Sequence, residues 1–85
     1  GPDKMTVLDP KINSIEWTDV DSSAVNRVAY DQIQRRIYVE FTRGAVYRYD
    51  DCDQSVYSDM MDAGSIGSYV HNHLRNHDNF EVTGS

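Results

Sequence analysis

Cysteine occurs once in the 85-residue chain, as Cys52, so no internal disulfide can form. Stability must come from packing, and a reducing, cytoplasmic setting is expected. Proline occurs twice, as Pro2 and Pro10, so nothing after residue 10 breaks a helix or strand for lack of an N–H. Lysine is absent after Lys11; from Trp17 onward the bases are six arginines against eleven acids. Non-specific nucleic-acid binding rests on phosphate neutralisation, so this balance opposes it unless the arginines converge on one face. No apolar run reaches transmembrane length and no signal-peptide pattern is present, so no membrane association is expected.

What remains is enough for one small domain. Apolar residues make up 39% of the chain, with six Tyr, two Phe and one Trp, and the net charge is −6. That composition supports a thin globular core rather than a disordered segment. The acidic balance suits solubility or a basic partner. Gly1-Pro2 reads as a protease-cleavage remnant and Met5 as a native start. Residues 5–16 show no period and read as an extended arm, with Val7, Leu8, Ile12 and Ile15 as its docking residues. Residues 1–16 are therefore set apart as tag remnant and arm from a domain over 17–85.

Within that domain Val25–Tyr30 reads as a strand. Arg36–Phe41 alternates, with Ile37, Val39 and Phe41 on one face and Arg36, Tyr38 and Glu40 on the other, the pattern of a half-buried strand. Thr42-Arg43-Gly44 is a turn and Ala45–Asp50 the returning strand. A type I′ turn would force Arg43 to positive φ, whereas a type I turn with Gly44 as the bulge residue asks this only of the glycine. The second choice pairs Phe41 with Ala45, Val39 with Tyr47, Ile37 with Tyr49, Tyr38 with Arg48 and Arg36 with Asp50. It puts Tyr47 and Tyr49 on the apolar face. A one-residue slip would reverse every side chain.

The period then changes. Asp53 is placed to cap a helix over Gln54–Asp62, striped by Val56, Tyr57, Met60 and Met61. Ser65 is placed to cap a second, Ile66–Leu74, striped by Ile66, Tyr69, Val70 and Leu74. Phe80 and Val82 are candidates for an extra short edge strand. The expected fold is α+β, a three-stranded antiparallel meander packed against two C-terminal helices.

In order and spacing these segments resemble the KTSC domain, named for the C-terminus of some lysyl-tRNA synthetases and found also as a free-standing small protein. The residues that carry the likeness are W-x-x-V-x-S-S (Trp17, Val20, Ser22, Ser23), VAYD, and VEF-x-x-G-x-VYRY with its marker tyrosines Tyr47 and Tyr49. VY-x-x-M and A-x-S-x-G-S-Y follow, then Asn72, Leu74 and Arg75. The resemblance runs from Trp17 to about Val82. It implies a domain of unknown function for which the synthetase context suggests RNA binding. Relatives tend to carry lysines around the Ser-x-Gly helix, where this chain has Ile66, Ser68, His71 and His73.

Two surfaces are candidates for function. Ser65, Gly67 and Ser68 open a helix whose free N–H groups could hold a phosphate or carboxylate, with Arg75 folding back to help. Arg36, Tyr38 and Arg48 share the sheet face away from the helices and form a candidate contact surface. His71, His73 and His77 lack the spacing and partners of a zinc site, so no metal is expected. Cys52 lies between Asp51 and Asp53, whose charge disfavours a thiolate nucleophile. No P-loop, GxGxxG or Ser-His-Asp ordering is present, and neither catalysis nor a cofactor is expected. The leading expectation is a non-catalytic interaction domain for a protein partner or a second copy of itself; the alternative is an RNA- or nucleotide-binding domain, and the weakest a small hydrolase.

Overall fold

The hairpin turn sets the frame of the whole sheet. In the computed structural model, which describes residues 6–85, Gly44 N–H donates to Phe41 O and Phe41 N–H to Ala45 O, both at 2.8 Å. Gly44 has φ of +103°, while Arg43 keeps negative φ. This is the type I turn with a glycine bulge, and the register follows from it: Ile37 opposite Tyr49, Tyr38 opposite Arg48, Val39 opposite Tyr47. A Cβ at Gly44 would meet nothing within 4 Å, so Gly44→Ala tests backbone strain alone. We expect it to lower stability by about 1–2 kcal/mol, seen as a lower urea midpoint with unchanged slope.

Among the described residues six strands form one sheet: β1 (Val7–Leu8), β2 (Thr18–Asp19), β3 (Val25–Asp31), β4 (Arg36–Phe41), β5 (Val46–Tyr49) and β6 (Asn79–Thr83). Their spatial order is β1-β6-β5-β4-β3-β2, with β1 parallel to β6 and every other pair antiparallel. The class is α+β as expected, but the three-stranded meander is only the middle of a larger sheet. Phe80 and Val82 do lie in a strand, yet it is not an edge: β6 sits between β5 and β1. The two true edges are strands of two residues each, the short-edge device that limits open-ended strand addition. The reading of Gly1-Pro2 and Met5 lies outside the described residues.

One face carries the helices α1 (Gln54–Asp62) and α2 (Ile66–Asn72), the latter continued by a 3-10 turn, Leu74–Asn76. Beneath them Val25, Val28, Ile37, Val39, Tyr49, Cys52, Met60, Val70 and Leu74 form the main core. Val25 and Val28 are three apart yet share this face because the register shifts between Val25 and Arg27, leaving Asn26 as an extra residue. Gly67 is a packing glycine, since a Cβ there would sit 3.3 Å from Ala24 Cβ. Ser65 caps α2 as expected, accepting from Ser68 N–H at 3.2 Å. Asp53 occupies the corresponding position on α1 but makes no cap bond; its carboxylate pairs with Arg35 at 2.9 Å instead.

The other face is also covered. The arm, over its described residues 7–16, lies across it and with Trp17 closes a second cluster of Ala29, Tyr38 and Val82 with Val7, Ile12, Ile15 and Val46. The arm is therefore part of the folded unit, contributing β1 to the sheet and a layer to its back.

Candidate functional site

Cross-strand pairing places Tyr38 and Arg48 side by side on the arm-covered face. Asp9 reaches them from the end of β1. Its backbone N–H donates to Thr83 O at 2.8 Å, which continues the parallel ladder and aims the side chain inward. Tyr38 Oη donates to Asp9 Oδ2 at 2.7 Å and Arg48 Nη1 donates to the same oxygen at 3.1 Å. Lys11 N–H donates to Oδ1 at 3.2 Å, so Asp9 also caps the 3-10 turn that begins at Pro10. Arg48 Nε donates to Asp50 Oδ1 at 2.9 Å, and Arg36 Nε lies 3.5 Å from that oxygen. Phe80 flanks the Arg48 guanidinium at 5.2 Å.

Asp9, Tyr38 and Arg48 are all buried, Tyr38 completely. The expectation of an open contact surface at Arg36, Tyr38 and Arg48 is thus overturned. Tyr38 lies at the bottom of the cluster, Arg48 is buried with it, and only Arg36 is partly exposed. Burial raises the Asp9 carboxyl, but hydrogen bonds from Tyr38, Arg48 and the Lys11 N–H outweigh it and hold the group below its ordinary value. Burial and the Asp9 carboxylate push the Tyr38 phenol well above its ordinary value. For Arg48 burial opposes the charge, and the bonds to Asp9 and Asp50 more than restore it.

Trp17 seals the edge of this network. Its indole N–H donates to Ile12 O at 3.1 Å, and its ring meets Tyr38 edge-on at 6.4 Å. Arg27 lies over the indole at 4.4 Å while its Nε pairs with Glu40 at 2.9 Å. Asp9 had no assigned role in the sequence, and Phe80 was read only as a residue of a short strand. The one available signal was an Asp placed directly before a Pro, the signature of a capped turn.

The second candidate surface is split. Ser65 and Ser68 line a shallow cleft of about 230 Å³ together with Ala63, Gly64, Tyr69, Asn72 and His73. Gly67 faces Ala24, and Arg75 sits beyond α2 in the 3-10 turn, outside the cleft lining. Arg75 therefore does not complete an anion site with Ser65. His71 and His73 are exposed on or just after α2. Among the described residues no group of three or more His, Cys, Asp or Glu is placed to hold a metal.

His77 instead adjoins Cys52, with Nδ1 3.7 Å from Sγ. The same Nδ1 lies 3.1 Å from Asp50 O, which can only accept, so Nδ1 carries the proton and has no lone pair for the thiol. Burial, with Asp50, Asp51 and Asp53 nearby, pushes the Cys52 thiol up to about 11. The pair is a buried thiol beside a ring donor, the reverse of an activated nucleophile and base.

Of the seven bases among the described residues, five are in ion pairs: Lys11 with Asp31, Arg27 with Glu40, Arg35 with Asp51 and Asp53, Arg36 with Asp50, and Arg48 with Asp9 and Asp50. Arg43 lies over the Phe41 ring at 5.2 Å.

Comparison with known proteins gives a consistent likeness. The family model of the KTSC domain matches residues 21–80. A protein of Tsukamurella paurometabola is 35% identical over 51 residues, 60% of this chain and 76% of its own length. An uncharacterized protein of Stutzerimonas stutzeri is 34% identical over 50 residues, 59% of this chain and 70% of its own length. The crystal structure of a KTSC domain protein from Yersinia pestis superposes with a TM-score of 0.75 over 81% of this chain and 99% of that one, at 20% identity, which speaks to the fold alone.

Proposed function

This chain belongs to the KTSC domain family, and from that premise we propose that it is a small non-catalytic interaction domain whose partner is a protein. The observation that carries the reading is the state of its cations. Among the described residues five of seven are neutralised within the chain, on a molecule with net charge −6, so few are left to release counterions from a phosphate backbone. The perturbed acids support the non-catalytic part. Tyr49 is pushed up to about 12 by burial and Cys52 up to about 11, away from the neutral range a general acid or base needs. A cytoplasmic setting fits a chain whose single cysteine is a free, buried thiol. No helix among the described residues is long and apolar enough to cross a membrane.

Gel retardation with single-stranded RNA across a salt series tests the choice of partner. We expect no retarded complex even at low salt. A complex whose affinity falls steeply with salt would replace this reading with the RNA one. The protein reading itself is tested by chemical cross-linking in cell extract followed by mapping of the linked peptides. Absence of any protein linked to a defined face of the domain would remove it.

A nucleotide is the second reading, favoured by the cleft in which Ser65, Ser68, Asn72 and the mutually tilted Tyr69 and His73 rings, 4.7 Å apart, come together. Its check is a titration with mononucleotides followed through the Tyr69 and His73 resonances. We expect no saturable shift.

A further inference from the structure

One stretch of chain supplies both outer strands of the sheet among the described residues. β1 lies outside β6 and β2 lies outside β3, at opposite edges, and only residues 9–17 separate them. That connection crosses the back of the sheet and is fastened on the way. Asp9 accepts from Tyr38 Oη and Arg48 Nη1, Lys11 Nζ lies 4.0 Å from Asp31 Oδ2 at the end of β3, and Asn13 Nδ2 donates to Gly84 O at 3.0 Å. Trp17, directly before β2, meets the Tyr38 ring edge-on. Tyr38 therefore holds both ends, its hydroxyl on the residue after β1 and its ring against the residue before β2. The strands at the two ends are two residues each, whereas β3 beneath one has seven and β6 beneath the other has five. Lifting them would bare the Val82–Thr83 edge, the Arg27–Val28 edge and the apolar side chains of Ala29, Val46 and Val82 between them. Unpaired strand edges beside an apolar face are what copies of one chain join through.

We propose that residues 7–19 act as a single clasp, opening and closing together at both edges of the sheet, and that its closure keeps copies of this chain from joining edge to edge. The coupling runs through Tyr38. Both residues of β2 are exposed, so β2 rests on its main-chain pairing with β3 and on its two apolar flanks, Trp17 in the back cluster and Val20 in the main core. Losing the Asp9 bonds loosens Tyr38, and with it the wall that seats Trp17, one of those two flanks. A two-residue strand has little pairing of its own with which to stay in place. The β2 edge thus answers to a change at Asp9, which lies at the other edge of the sheet. The clasp is a property of the chain alone and holds whichever partner the domain takes.

Hydrogen exchange on the full chain, followed by NMR, reads the two ends separately. The Asp9 N–H, bonded to Thr83 O, reports one edge, and the Val20 N–H, bonded to Asn26 O, reports the other. In the native chain the two are expected to share one protection factor, lower than that of the β4–β5 pair in the middle of the sheet. Asp9→Asn should reduce both by a similar factor, about tenfold, the scale of one charge-assisted hydrogen bond. Sedimentation velocity over a concentration series should then show one monomeric species for the native chain and concentration-dependent association for Asp9→Asn. Val7→Thr loosens the clasp from its apolar end without changing net charge and should act in the same direction; it also serves if Asp9→Asn fails to fold. Gly44→Ala, which destabilises the hairpin away from the clasp, should stay monomeric. Lost protection at residue 9 with Val20 unchanged would overturn the single clasp. A loosened clasp without association, or association equally strong in Gly44→Ala, would overturn its guarding role.

Discussion

Arg48→Met should lower the free energy of unfolding by about 3 kcal/mol, the scale found when one partner of a buried ion pair is removed. Methionine keeps much of the stem that packs beside Phe80, so the loss is one of charge and hydrogen bonds rather than volume. The buried Asp9 carboxylate would retain the Tyr38 hydroxyl and the Lys11 N–H but lose its counter-charge. For a domain of this length, whose total stability is roughly 4–13 kcal/mol, that is a large fraction. The melting temperature should fall by on the order of 15 °C. A companion Asp9→Leu/Arg48→Met variant removes both charges and should recover part of the loss, because no unpaired ion is left behind. A double-mutant cycle by urea denaturation measures the coupling; single and double variants all within 0.5 kcal/mol of the native chain would show that the network contributes nothing to stability.

The same network sets an acid limit. The Asp9 carboxyl is held below its ordinary value of 3.8, so the folded chain binds the proton less readily than the unfolded one. The stabilisation is complete above the unfolded value and is lost as pH falls through the folded one. The groups facing Asp9 are Tyr38, Arg48 and, through Arg48, Asp50 and Arg36. Native protein should therefore lose stability below about pH 4, with Trp17 emission reporting release of the arm. In Arg48→Met the first two supports of the low value, Tyr38 and Arg48, are reduced to one. The acid loss should be correspondingly smaller.

The middle of the sheet was legible because local chemistry and pattern agree there. Gly44 admits only one comfortable turn, that turn admits one register, and the alternation of Ile37, Val39 and Phe41 names the buried face. Both helices were legible from their stripes, although α2 ends at Asn72 and a 3-10 turn carries Leu74 into the core. The arm was legible only in part: Val7, Ile12 and Ile15 dock as expected, whereas Leu8 is exposed, and neither the strand nor the inward Asp9 was read. A two-residue strand followed by a four-residue turn has no period, and its contacts are all distant in sequence. That gap misplaced the candidate surface. Arg36, Tyr38, Glu40 and Arg48 read as a solvent face because polar alternation usually means solvent. Here the missing partner was a single carboxylate on the arm, which turns polar residues into a buried, satisfied cluster; no buried side-chain nitrogen or oxygen among the described residues lacks a partner. The edge position of β6 was misread for the same reason, since only β1 makes it an interior strand. Ser65 and Ser68 came together as their spacing implied, but Gly67 answers to Ala24 rather than to a ligand.

Leu74→Ala should cost about 3 kcal/mol, within the range for removing a fully buried leucine without full collapse of the cavity. Leu74 is completely buried although it stands outside α2, in a turn held by His77 N–H to Leu74 O at 2.9 Å. Its side chain joins Val70 and Met60 against Ile37 and Val39, so it ties the end of the helical layer to the middle of the sheet. The turn backbone is anchored on both sides, by His73 N–H to Tyr69 O at 2.8 Å and by Asp50 N–H to Asp78 O at 2.8 Å. The core therefore has little freedom to close over the lost volume, which places the expected cost above that of simple transfer, about 2 kcal/mol for the missing carbons. Ile33→Ala is the matching control: Ile33 is 88% exposed at the tip of the β3–β4 loop, and its loss should change stability by less than about 0.5 kcal/mol. Urea unfolding of both variants decides the matter. A Leu74→Ala midpoint close to that of Ile33→Ala would mean that the turn, and not its buried side chain, holds the helices to the sheet.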